Sequence, residues 1–166
     1  MHFLTMQAAQ TVYRTIIGPL FDYCGVVWDT CGDVSALKLE RLQNRAGRII
    51  LSTDINIHTP FVTVRAKLKW STLQQKRKHH KAVLMYNCLN NQLEGIDASY
   101  IRRADIHGYY TRQKDTIIFP KPRTYYLKYT FKTISIKLWN SNPPHIQKSD
   151  SAITFKKHLY DIQLIY

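Results

Sequence analysis

Apolar residues return every three or four positions in several separate runs, and proline or glycine interrupts or bounds those runs. That spacing is the signature of helices with one buried face, and it constrains this chain to a mainly α fold. The first run passes through Val12, Ile16, Leu20 and Cys24 or Val27, with Gly18-Pro19 as an expected kink. The second follows Thr30-Cys31-Gly32. There Asp33 or Ser35 can cap a helix whose Leu39, Leu42, Ala46, Ile49 and Ile50 are expected to form one face, with Lys38, Arg41, Arg45 and Arg48 mostly off it. Pro60 can open a short helix to Leu68, and Ser71 can cap a longer one to about Asn91, with Leu73, Arg77, His80, Leu84 and Cys88 near one stripe.

From Ile106 to Tyr129 the period fails. The Ile-Ile-Phe before Pro120 and Pro122, and the Tyr-Tyr-Leu-Lys-Tyr after them, read as extended chain around a turn, a small β-ribbon. Helical spacing resumes from Phe131 to Trp139, stops at Asn142-Pro143-Pro144, and returns from Ser151 through Phe155, Leu159, Ile162 and Tyr166. The expected architecture is mainly α: a helical bundle over residues 1–91, an irregular connector with the ribbon over 92–128, and two C-terminal helices over 129–166. A chain of 166 residues with 45% hydrophobic content can bury a real core in this form.

The charge is segregated. Residues 65–81 hold seven Lys or Arg and no Asp or Glu, namely Arg65, Lys67, Lys69, Lys76, Arg77, Lys78 and Lys81. No carboxylate side chain occurs between Asp54 and Glu94, and a second acid-free window from Thr116 to Ser149 carries Lys121 and Arg123. A solvated helix face ordinarily mixes signs, so a net charge of +13 arranged this way points to a polyanion, with phosphate backbone first among candidates. Charge reversal at Lys76, Arg77 and Lys78 is expected to abolish binding and to leave the fold intact, with Trp70 and Leu73 inside.

Other chemistries find little footing. Cys24, Cys31 and Cys88 form no Cys-x-x-Cys pair, which favours a reduced intracellular setting, nuclear or cytoplasmic. The His residues do not stand at ligand spacing with Cys or carboxylates, so no metal and no cofactor is expected. No run of about 18 apolar residues is present, and no membrane partner is expected. Trp28, Trp70 and Trp139 each neighbour apolar residues and are expected in the core rather than stacked on bases.

Several short motifs follow one another in a familiar order. Tyr13, Ile16, Ile17, Pro19, Asp22, Tyr23 and Trp28 come first, then Leu39, Leu42, Gln43, Ala46, Arg48 and Ile49. Leu68, Trp70, Leu73, Lys76, Arg77 and Lys78 follow, and then Met85, Tyr86, Leu89 and Asn90. Tyr109, Tyr110, Thr111 and Arg112 precede Pro120 to Thr124, then Leu138, Trp139, Asn140 and Pro143, and lastly Ser151, Phe155 and Lys156. In this order they resemble the C-terminal region, thumb and post-thumb, of reverse transcriptases from non-LTR (LINE-type, jockey-like) retrotransposons. One departure is Asn142, where that family usually has Leu before the proline.

The resemblance implies a piece of an RNA-directed DNA polymerase that lies along a template-primer duplex and contacts its backbone without reading bases. The polymerase palm, with its clustered carboxylates, and the endonuclease are absent from this sequence, so no catalytic residue is assigned and a non-enzymatic role is expected. The expected partner is RNA or RNA/DNA duplex backbone, through Arg65, Lys67, Lys69, Lys76, Arg77, Lys78, Lys81, Arg112, Lys121 and Arg123. For Arg112, phosphate binding and an intramolecular clamp stand equal; for Lys121 and Arg123, a rigid tip reaching RNA stands beside an ordinary surface loop. The rival readings are a module that packs against a missing palm or another copy of itself, and a transposon relic without function.

Overall fold

The computed structural model describes residues 4–51, 58–90, 92–93 and 115–165, with only the main chain of 162–165. Among these the chain is mainly helical, and it divides into two compact units, Met1–Arg77 and Lys78–Tyr166. The division falls inside one helix.

In the first unit α1 (Met6–Val12) starts where the Thr5 hydroxyl accepts the Ala8 N–H at 3.3 Å. A π-helical stretch, Tyr13–Ile17, joins it to α2 (Gly18–Asp22). Pro19 has no N–H to return to Thr15, so the regular ladder fails there, and the Gly18 N–H bonds the Tyr13 carbonyl five residues back. The wider turn shifts the phase of the helix. Tyr13 and Gly18 point inward, while Ile16 and Leu20, expected on the buried stripe, are exposed, Leu20 by 74%. Val27, in α3 (Gly25–Trp28), is exposed too.

The long helix α4 (Asp33–Ile50) has Gly32 as its N-cap, without a side-chain cap from Asp33 or Ser35. Its inner face is Gln43, Asn44, Gly47 and Ile50, and the expected apolar face is corrected: Leu42 and Ile49 point outward, Ile49 exposed by 65%. Gly47 explains the rotation. A Cβ there would lie 2.8 Å from Val64 Cγ1 and 3.3 Å from Leu68 Cδ1, so only a glycine lets α4 approach α5 (Phe61–Leu68) this closely. Tyr13, Ile50, Leu51, Val64 and Leu68 form the core, with Trp70 stacked on Tyr13 at 4.0 Å between centroids.

Helix α6 (Leu73–Leu89) begins with a capping box at Thr72 rather than a cap at Ser71. The Thr72 hydroxyl accepts the Gln75 N–H at 3.0 Å, and Gln75 Oε1 accepts the Thr72 N–H at 3.0 Å. Glu40 adds a carboxylate to this positive helix end by accepting the Gln74 N–H at 3.0 Å.

The second unit packs residues 78–89 of α6 with α7 (Tyr125–Lys128), α8 (Phe131–Ser141), α9 (Pro144–Gln147) and α10 (Ala152–Ile165). Met85, Tyr86, Ile117, Ile136, Trp139, Ile146 and Phe155 make its core, and full burial of such side chains contributes roughly 1.5–3 kcal/mol each. The Tyr86 hydroxyl donates to the Ser149 carbonyl at 2.7 Å. The Ser151 hydroxyl caps α10 by accepting the Thr154 N–H at 3.1 Å.

The β-ribbon does not form among the described residues. Ile117 is an isolated bridge residue, and Asn140 donates to its carbonyl at 2.9 Å and accepts its N–H at 3.1 Å. The Tyr-Tyr-Leu-Lys stretch is the helix α7, because Thr124 accepts the Leu127 N–H at 3.4 Å and caps it. The rest of the expected ribbon, residues 106–114, lies outside the described residues.

Candidate nucleic-acid interface

The acid-free run does not present its cations uniformly. Arg77 is buried, its Nε donates to Asp29 Oδ1, and its guanidinium lies 5.1 Å from the centroid of the Trp28 ring. Lys76 Nζ stands 3.4 Å from Asp22 Oδ2, and Arg65 Nη1 stands 4.0 Å from Glu40 Oε2. Carboxylates distant in sequence therefore come back to meet three of the seven cations. Asp22 and Asp29, beside Tyr23 and Trp28 early in the chain, thus serve the basic run within the unit.

The expectation that reversing Lys76, Arg77 and Lys78 would spare the fold is corrected at Arg77, whose charge is part of the interior. Lys81, in the second unit, is buried as well. Lys67, Lys69 and Lys78 are exposed. Lys69 closes α5 in the left-handed region, at φ 53°, which turns the chain toward Trp70. Lys121 and Arg123 are exposed in the second unit. Arg112, with Tyr109, Tyr110 and Thr111, lies outside the described residues.

The clearest free positive surface of the first unit is one that the site reading omitted. Lys38, Arg41 and Arg45 stand at i, i+3 and i+7 on the outer side of α4, all exposed and without an ion-pair partner among the described residues. Of the first unit's described acids, Asp22, Asp29 and Glu40 are engaged with Lys76, Arg77 and Arg65, and the fourth, Asp33, stands exposed in the first turn of the same helix. Seven residues of helix span about 10 Å, the rise over which one duplex strand carries about three phosphates. The sequence signal was present, as three cations at helical spacing, but the denser run at 65–81 outweighed it. Arg48, the fourth cation of this helix, turns inward: Nη2 donates to the Thr59 carbonyl at 3.0 Å, and the guanidinium sits 4.4 Å from the Phe61 ring.

Comparison of the chain with protein-family models, curated proteins and solved structures finds no match.

Among the described residues no three His, Cys, Asp or Glu side chains gather to hold a metal ion, and no helix is long and apolar enough to cross a membrane. Burial pushes the Cys88 thiol up, away from the reactive thiolate. Burial likewise raises the Tyr13 hydroxyl, which has no hydrogen-bond partner among the described residues. Ser149 Oγ lies 3.2 Å from His158 Nδ1, yet the hydroxyl donates to the Ile146 carbonyl at 2.7 Å and serves the turn before α10. Burial lowers the pKa of His79, against a hydrogen bond with the Lys156 main chain, and keeps the imidazole neutral.

Proposed function

We propose that this chain is a non-catalytic nucleic-acid-binding protein, derived from the C-terminal region of a retrotransposon reverse transcriptase, that holds RNA or RNA/DNA backbone without base readout. The observation that carries the reading is the outward row of Lys38, Arg41 and Arg45, without an ion-pair partner among the described residues while Asp22, Asp29 and Glu40 are committed to other cations. Exposed Lys69 and Lys78 add to the same partner chemistry. Phosphates recognised by flexible cations at helical spacing give affinity without sequence preference.

Filter binding of an RNA/DNA duplex over a salt series tests this. Three neutralised phosphates give a log-log slope of about −2.7, so affinity falls about 40-fold between about 50 and 200 mM salt. The triple variant Lys38→Gln, Arg41→Gln, Arg45→Gln should flatten the slope by about that amount while the melting temperature stays put. Binding that is absent, flat with salt, or unmoved by the triple variant refutes the assignment.

A second reading rests on a different observation. Leu20, Tyr23, Val27, Leu42 and Ile49 are all more than half exposed, a quantity of apolar surface that suits packing against a polymerase palm or another copy of the chain. Mass measured against protein concentration separates the two readings, since a pure nucleic-acid binder stays monomeric.

A further inference from the structure

Helix α7 and its flanks carry three neighbouring tyrosines that the fold leaves uncovered. Tyr125, Tyr126 and Tyr129 are exposed, Tyr126 by 85%, where the core aromatics Tyr86, Trp139 and Phe155 of the same unit are buried. The rings are ordered against one another. Tyr125 and Tyr129 lie 4.7 Å apart between centroids, and Tyr126 meets Tyr125 edge-on at 6.3 Å and 87°. Exposed Lys121, Arg123 and Lys128 neighbour them in sequence, and no carboxylate occurs from Thr116 to Ser149.

We propose that this tyrosine cluster is a stacking platform for single-stranded nucleic acid, with Lys121, Arg123 and Lys128 on its phosphates. It rests on the partner class proposed above and adds a second site with a different mode of recognition. The charge argues for this occupant: protein interfaces are depleted of lysine at their centres, whereas strands without acid repulsion need a basic rim. A four-residue helix is too short to lie in a membrane surface as an amphipathic anchor. Aromatic rings stack on any base whose face is free. Bases within a duplex already use both faces on their neighbours, so the platform selects unpaired strands.

The test is fluorescence anisotropy of the full chain with three probes: labelled oligothymidylate, the same length of abasic strand, and an RNA/DNA duplex. Tyr126→Ala should weaken oligothymidylate binding by about 5- to 150-fold per stacked base lost, with abasic-strand and duplex affinity unchanged. Tyr126→Phe should restore the wild-type value, and Tyr125→Ala should repeat the loss if Tyr126→Ala melts differently from wild type. Unchanged oligothymidylate affinity in both alanine variants, or an equal loss on the abasic strand, overturns the platform. So does a concentration-dependent mass that Tyr126→Ala abolishes with strand affinity intact, which would assign the patch to a second copy. Duplex binding that persists while the tyrosines prove silent overturns this inference alone; absence of binding to every probe overturns it together with the proposed function.

Discussion

Removing the charge of Arg77 should cost the first unit its stability before it costs any ligand contact. The Arg77 side chain is 6% exposed and its partner Asp29 18%. Breaking a buried pair by deleting one member typically costs about 3–5 kcal/mol, because the survivor is left charged and dry. In Arg77→Met the survivor is Asp29, which keeps some water, so this part falls to roughly 2–3 kcal/mol. Loss of the guanidinium from the Trp28 face adds about 0.5–1 kcal/mol. The sum, about 3 kcal/mol, corresponds to a drop of roughly 1–3 M in the urea midpoint. Trp28 and Trp70 both report from the first unit, and their fluorescence follows the transition. The double variant Arg77→Met, Asp29→Leu removes both charges together and should recover most of the loss, giving a coupling of about 2 kcal/mol. Lys78→Met, one residue away but exposed, should stay within about 0.5 kcal/mol of wild type. If Arg77→Met costs less than about 1 kcal/mol and weakens duplex binding as Lys78→Met does, Arg77 faces the ligand and the internal pairing is refuted.

Two further outcomes concern packing and pH. Gly47→Ala gains about 1 kcal/mol of helix propensity but drives a methyl against the stiff, fully buried Val64, at an overpacking cost of up to about 3 kcal/mol. Thermal melting should therefore drop by several degrees, and an unchanged or higher midpoint would mean that α4 and α5 are less tightly apposed. His79 has a folded pKa below its ordinary 6.5, so the unfolded chain takes up the proton first. Its contribution is complete above about 6.5 and is lost as pH falls below that value. Denaturation at pH 7.5 and 5.5 should show that loss in wild type and less of it in His79→Gln; identical pH dependence in the two proteins would rule it out.

The helical character was legible because burial imposes a period on the sequence, and proline marks where it stops. The orientation of the helices was less so. In α4 the inward line runs through Gln43, Asn44 and Gly47, residues that apolar counting passes over, because close approach to α5 selected a small side chain over a greasy one. In α2 the phase was lost to a π turn, which no spacing rule anticipates once the helix is assumed regular. Among the described residues the ribbon gave way to a helix at Tyr125–Lys128, which Thr124 caps, while Asn140 holds the main chain of Ile117 from 23 residues away. Of the candidate site, the sequence displayed the cations but not their partners. Asp22, Asp29 and Glu40 lie far upstream of the run they neutralise, so an acid-free window in sequence is not an acid-free surface in space.

The outward apolar residues of α2, α3 and α4 give the ionic strength of any experiment a double meaning. At low salt a chain carrying +13 repels its own copies, and the Debye length of about 10 Å at 0.1 M sets how near they come. Added electrolyte shortens that range, so it would loosen the proposed phosphate contacts and at the same time let Leu20, Val27 and Ile49 of separate molecules meet. On that proposal, colloidal stability and ligand affinity would decline along the same axis. A binding curve taken at high salt must be read beside light scattering from the same sample, because only dilution separates a released strand from a protein lost to its own clusters.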